Sequence, residues 1–545
     1  LEYSMDREVL RSNRAGSYIS TTLNGCNTRK YHGLLVCPID NFGGEKHVLL
    51  SSLDVSLVQG KEEFNLGIHR YKGGVYYPKG HKYIRNIEFD QIPKITYRIG
   101  AMVLVVERIL VEKKRQVLIR YTVEKAPEET TFRFKPFLAF RNIHALSKAN
   151  MFADSRYQNV ENGFSTKLYE GYPDLFMQFS QPPEYVHVPD WYFDVEYYKE
   201  LIRGYDFLED LFVPGYFELN LKEGDCVVLS AGTEAVNPVS LKQRFTRELK
   251  KRTRRYTFAS SLKNAAEQFI VNKKNSTDVI AGYPWYNSIT RQTFISLPGL
   301  ALALNSQTIY EQVLKTYESY LENGLFPDSI DTNNPVYNSA DAPLWFIWAV
   351  QNYAENHSNK NLTWGKFGFS IKKILDAYFK STPGFIEFTP EGLIHAEKEN
   401  TALTWMNSYA LDTPVVQRAG MAVEINALWY NAISFAVESA ELAGEKEFVK
   451  KKKKNKKKTG QAFMNTFWTD GREHLADIAR NGQADWAIRP NMVIAAGMKY
   501  SPLSTEQKKS ILSVAKKKLL TKRGLRTLSP DHLRYKSTVE GNQDE

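Results

Sequence analysis

Apolar positions along this chain follow two regimes. From residue 1 to about 235 they recur every second residue. In VLIRYTVE, Val117, Ile119, Tyr121 and Val123 share one face, and Leu118, Arg120, Thr122 and Glu124 share the other. Successive Cβ atoms of a strand point to opposite faces, so a period of two marks a half-buried strand. KITYRIG, AMVLVVERILVE, TFRFKPFLAF and GYFELNL read alike, separated by turn residues or charged stretches. Many strands at short spacing predict an antiparallel sandwich. The stretch from Asp154 to Arg203 is rich in Tyr, Pro and Asp and reads as long loops with short strands.

From about Leu241 the period lengthens. LKNAAEQFIVN, LPGLALALN, TIYEQVLKTYESYLEN, APLWFIWAVQNYAEN, IKKILDAYFKS and EINALWYNAISFAVESAELAG read as helices. In the last, Ile425, Leu428, Trp429, Ala432 and Phe435 recur at three- and four-residue intervals, which is one stripe of a helix. Polar loops join the helices in pairs. That pattern predicts an α/α toroid whose loops at one end line a pocket. The expected layout is a β-sandwich over 1–235, a linker over 236–260 and a toroid over 261–545.

Composition adds little to the fold but narrows the chemistry. The 545 residues hold a high aromatic share, 13%, and aromatic rings stack on sugar faces as well as in cores. Cys26, Cys37 and Cys226 form no paired framework and no CxxC, so a reducing, cytoplasmic setting is expected and structural zinc is not. No run of about 18 apolar residues suggests a membrane span. The net charge of +11 is local: Lys450 to Lys458 hold eight lysines, and without them it is +3. Such a block is expected as a solvated, mobile loop or helix face. It lacks the aromatics and arginines of a base-stacking surface, so no nucleic-acid partner is expected.

Phosphate loops, HExxH, Cys/His clusters and a GxSxG elbow are missing, and no cofactor or metal is expected. Carboxylates, aromatics, Asn and Arg on loops remain. In the first loop, Ala281 to Gly299, Trp285 and Tyr286 lie near Arg291, whose fork of donors suits sugar hydroxyls or backbone carbonyls. In the second, Gly324 to Val350, Asp341 precedes Ala342-Pro343 and reads as a helix N-cap at the pocket mouth. Trp345 and Trp348 read as core. The third, Gly392 to Ile433, carries His395, Trp405, Asn407 and Arg418 and opens a helix near Glu424. His395 reads as a surface residue. Two readings stand for Glu424: compensation of the helix dipole, or a sugar-site carboxylate beside Asn426, Trp429 and Tyr430. ADWAIRPNM and GLRTLSPDH follow as further loops. Glycoside hydrolysis needs such an inventory.

These segments, in order, resemble the bacterial glycogen debranching (amylo-α-1,6-glucosidase) family. Gly25, Asn27, Arg29, Tyr31, His32, Gly33, Leu34 and Leu35 match the core of its N-terminal motif. AGYPW, YNSADAPLWF, LTWM, VEINALWYNA, RPN and GLRTLSP match its C-terminal domain. The resemblance implies a β-sandwich, an (α/α)6 barrel and removal of α-1,6-linked glucose from glycogen or limit-dextrin branch points, by inversion. It implies Asp341, Asn407 and Glu424 at the catalytic positions and Trp285, Tyr286, Arg291, Gln292, Trp405 and Arg418 as sugar-binding groups.

Three departures qualify it. Gln292 stands where the family has aspartate in Gly-Arg-Asp-Thr, and Asn407 where it has aspartate in Trp-Met-Asp. That second aspartate is the implied general acid. Asparagine donates no catalytic proton at neutral pH, and losing general acid catalysis costs about 10²–10⁴-fold. The family also continues into a Tyr-His-Gln-Gly segment and closing helices, which the resemblance places beyond Glu545, so an incomplete barrel is expected. A weakened glucan-binding homologue and a related exo-acting α-glucosidase are the competing expectations.

Overall fold

The computed structural model describes residues 1–273, 276–332, 334–356 and 360–538. Asn333 of the second loop and the final residues 539–545 lie outside the described residues. The chain forms two compact units, Leu1–Asn275 with Gly282–Asn287, and Ser276–Ala281 with Ser288–Glu545.

The first unit holds two antiparallel sheets, of ten and eight strands. The larger runs from Glu8–Ser12 through Tyr18–Thr22, Gly33–Ile39 and Glu45–Gln59 to Thr130–Asn142 and Leu208–Leu221. The smaller centres on Pro93–Ile99, Met102–Leu110, Gln116–Lys125 and Cys226–Gly232. Alternation decides what each face does. Val117, Ile119, Tyr121 and Val123 all enter the main core, as their period of two predicts. Leu118, on the opposite face, packs with Leu241 and Phe245 of the helix Leu241–Lys250. The segment read as a linker, 236–260, therefore contributes a helix that covers the outer face of the smaller sheet.

The reading of Asp154 to Arg203 as short strands needs correction. Glu184–Glu196 is a 13-residue strand paired with Leu208–Leu221. Its register shifts between His187 and Asp190 and again between Tyr192 and Val195. Each irregularity turns the side-chain alternation over, so no single period survives for a sequence reading to find.

The second unit is helical. Thr290–Ala303, Gln307–Glu318, Ala342–Glu355, Lys360–Phe379, Val423–Leu442 and Lys446–Phe467 are its long helices, followed by Asn491–Gly497 and Thr505–Lys518. Short hairpins such as Ile386–Phe388 with Ile394–Ala396 lie in the connections. The Val423–Leu442 helix is buried nearly all round and packs against its neighbours on both sequence sides. This is the sheet-then-helix architecture expected from the change of period. Among the described residues no helix is long and apolar enough to cross a membrane.

Candidate active site

The loop after Trp405 and the start of the Val423–Leu442 helix converge on one guanidinium. Arg418 donates from Nη2 to Glu424 Oε2 at 2.8 Å and from Nη1 to Glu424 Oε1. Its Nε and Nη2 reach Asp477 Oδ2 and Oδ1, both at 3.1 Å. Arg418, Glu424 and Asp477 are all buried. Arg489 Nε lies 3.7 Å from Asp477 Oδ2, so two cations face two carboxylates. Burial raises the Asp477 carboxyl above its ordinary range, Arg418 pulls it back, and Glu424 pushes it up again. Burial opposes the charge on Arg418, yet Glu424 and Asp477 hold its pKa above the ordinary value.

This cluster anchors the aromatic loop. Asn491 Nδ2 donates to Asp477 Oδ1 at 2.7 Å, and Trp405 Nε1 donates to Asn491 Oδ1 at 2.7 Å. The loop Gly524–His532 closes on the same region: Ser529 N donates to Ile488 O and Arg489 Nη1 to Thr527 O. In front of Arg418 lies an open cleft of about 370 Å³, walled by residues that include Glu397, Glu399, Thr401, Gln417, Arg418 and Arg480. Such a volume is at the small end of ligand sites.

A second buried pair holds the neighbouring loop. Arg291 Nε donates to both Asp341 oxygens at 2.8 Å, and its Nη2 donates to Ser339 Oγ at 2.7 Å. Asp341 occupies the N-cap position of Ala342–Glu355 but makes no capping bond with its side chain. Backbone bonding joins the two loops, Ala340 N to Leu403 O at 2.9 Å. Lys398 Nζ adds a bond to Asn338 Oδ1 at 2.8 Å. Beside them, burial raises the Asp328 carboxyl, and Ser339 and Arg291 oppose that rise.

Residues 7–228 match the family model described as glycogen debranching enzyme N terminal, and residues 264–545 match amylo-alpha-1,6-glucosidase. The chain belongs to the amylo-alpha-1,6-glucosidase family. As a member, it is a glycoside hydrolase of the α-glucan-acting kind. A solved structure titled as a bacterial glucoamylase complexed with acarbose is similar over 98% of this chain and 82% of that one, with a TM-score of 0.56 and 9% identity. That likeness is one of fold. No curated protein matches in sequence.

Within this amylo-alpha-1,6-glucosidase-family chain, the helical unit brings together Arg291 with Asp341, and Arg418 with Glu424 and, through Asn491 and Asp477, Trp405. It leaves Asn407 exposed on the loop beyond Met406, and Gln292 exposed on the helix Thr290–Ala303. Trp285 and Tyr286 are grouped with the sheet-rich unit. There Arg29 lies over the Trp285 ring at 5.2 Å and Tyr31 meets it edge-on at 6.3 Å. Tyr286 is exposed. Trp345 is buried, as read, and stands T-shaped to Trp348. His395 Nε2 lies 3.1 Å from Glu397 Oε2 beside the cleft.

Asp477, Glu397 and Glu399 escaped the sequence reading, and Asn491 entered it only as part of RPN, with no role. Asp477 sits in HLADIARNG, which carries no recognisable pattern, and its partner is 59 residues upstream. An Arg in one loop and an unpaired acid in a later one is the only signal the sequence carries. Among the described residues no group of three or more His, Cys, Asp or Glu is placed to hold a metal ion.

Proposed function

We propose that this chain removes α-1,6-linked glucose from glycogen or limit-dextrin branch points, with inversion at the anomeric carbon. The observation that carries the reading is the cleft wall formed by Arg418, backed by the buried carboxylates Glu424 and Asp477, in the half that matches amylo-alpha-1,6-glucosidase. Every Arg418 nitrogen is engaged by a carboxylate or by Thr404. In this proposal Arg418, Glu424 and Asp341 therefore set the loops, the exposed Glu399, Gln417 and Arg480 of the cleft wall meet the sugar, and the loop of Asn407 meets the scissile bond. Inversion needs a carboxyl separation of about 6.5–9.5 Å, to admit water.

Incubating the purified chain with panose and with limit dextrin tests the reading. Glucose release from both is expected, with β-glucose as the first anomer seen by NMR. No release from either, at any enzyme concentration, sinks the hydrolase assignment for this chain. A weakened, glucan-binding protein is the second reading, and the exposed amide of Asn407 favours it. Under that reading glucan binds with little release, and Asn407→Asp raises turnover by about 10²-fold or more. An exo-acting α-1,4-glucosidase is the third, in line with the glucoamylase-like fold. Faster release from maltotriose than from isomaltose would select it.

A further inference from the structure

Two arginines occupy inward-facing positions in the sandwich core. Along Met102–Leu110, Leu104, Val106 and Leu110 belong to the main apolar core. Arg108 takes the alternate position between the last two and so shares their face. In Glu8–Ser12, Arg11 pairs across from Ile19, another core residue. The Nε of Arg108 and the Nε and Nη2 of Arg11 are buried and have no hydrogen-bond partner. Other arginines of this unit are answered by carboxylates: Arg141 by Glu209, Arg70 by Glu196 and, on the outer face, Arg120 by Glu107. Among the described residues no carboxylate stands within ion-pair distance of Arg11 or Arg108.

Two adjoining cavities lie between the sheets at this point. One is about 40 Å³ and the other about 30 Å³, and both are lined by Thr21, Val106 and Arg108. Arg11 lines the second. Ser52 lines the first, and its buried hydroxyl also has no partner. Asp54 is the carboxylate on that wall, and its Oδ1 is engaged by His69 Nε2 at 2.9 Å. Burial, with Arg255 and Arg252 nearby, holds the Arg11 guanidinium down to about 10. It stays charged at neutral pH all the same, and water can satisfy its N–H groups without balancing that charge. A water needs roughly 10–15 Å³ of such space, so the second cavity, which Arg11 and Arg108 share, has room for about two or three oxygens and the adjoining first for about three or four.

We propose that this paired cavity binds a small tetrahedral oxyanion, of the size and charge of inorganic phosphate, between the guanidinium groups of Arg108 and Arg11. Forked N–H groups match such an anion in pairs of bonds. The site lies inside the sheet-rich unit and is independent of the glucosidase reading.

Equilibrium dialysis of the full chain against labelled phosphate, at fixed chloride ionic strength, tests it. One phosphate per chain is expected, displaced by sulfate and not by equal acetate. Arg108→Met and Arg11→Met are expected to weaken uptake at least tenfold. Arg108→Lys keeps the charge without the fork, and intermediate uptake is expected from it should the methionine variant not fold. Absence of saturable uptake by the unaltered chain would overturn the proposal and leave a water-filled cavity. Uptake unchanged in Arg11→Met and Arg108→Lys would overturn it too, and displacement by acetate as readily as by sulfate would rule out the tetrahedral assignment.

Discussion

Glu424 shows how far a single residue can be read from sequence. Its place in the first turn of the Val423–Leu442 helix follows from the apolar stripe, and an acid there suits the helix dipole. The sequence cannot show that Arg418 and Asp477 complete its surroundings, because nothing local records a contact 59 residues apart. Asp341 has the same history. The sequence reads as a cap, but the charged Nε–H of Arg291 outcompetes the neutral backbone N–H for the carboxylate. These pairs are buried, so a guanidinium stripped of its last carboxylate is left unanswered. Asp341→Asn, which leaves Arg291 without its carboxylate, is expected to cost about 3–5 kcal/mol on that ground. Urea melts of the variant beside the unaltered chain measure it. A loss no greater than an exposed pair gives, about 0.2–1 kcal/mol, would show that Arg291 is not held as described. Asp477→Asn combined with Glu424→Gln is expected to cost more than the two single losses together, because either carboxylate alone still answers Arg418 and only the double change strips it.

Helices carried their own evidence better than strands did. The Val423–Leu442 and Ala342–Glu355 helices keep one period throughout, whereas Glu184–Glu196 loses its period at two irregularities. The lysine block shows the limit of reading charge alone. It was expected as a solvated loop or helix face, and it lies in the helix Lys446–Phe467. Val449, Lys452, Thr459, Ala462, Phe463 and Phe467 supply the buried face that fixes this helix. Lys452 is the exception within the block: its Nζ reaches Asp376 Oδ1 at 2.8 Å and lies 3.8 Å from the centre of the Phe379 ring. Lys452→Ala is expected to lower the stability measured in urea melts by the worth of a partly desolvated cation–π contact, about 1–2 kcal/mol. Exposed Lys451→Ala is expected to leave it within about 0.5 kcal/mol. Equal effects from the two would deny Lys452 its packing role. Glu311 ties three helices, accepting from Lys315, Lys366 and Tyr353. Hydrogen bonds from the two lysines bring its carboxyl down to about 2. A depressed carboxylate stabilises the fold above its unfolded pKa and ceases to do so as pH falls through the folded value. The contribution of Glu311 is thus present above about pH 4.5 and fades towards pH 2. Glu311→Gln should flatten the acid side of the melting-temperature profile in that window, and an unchanged slope there would contradict the assignment.

At the scale of the molecule, charge is the property that sequence and structure treat differently. The +11 total is one number, but eight of its cations stand between Lys450 and Lys458 of a single helix. Lys450, Lys451, Lys453, Lys454, Lys457 and Lys458 are exposed there, while Lys452 is packed. Like charges at such spacing repel one another along a helix, so the buried face must hold the element together against them. Their field reaches about 8 Å at physiological ionic strength and draws polyanions without selecting among them. A neutral glucan gains nothing from that field. Changing the six exposed lysines to glutamine takes the net charge from +11 to +5. The altered chain is expected to leave a heparin column at clearly lower salt, and to release glucose from panose within twofold of the unaltered rate. Retention that does not change would place the polyanion-binding charge on another face. A fall in glucose release alongside retention would put this helix in contact with the glucan, and the cleft beside Arg418 would then be only part of the sugar-binding surface.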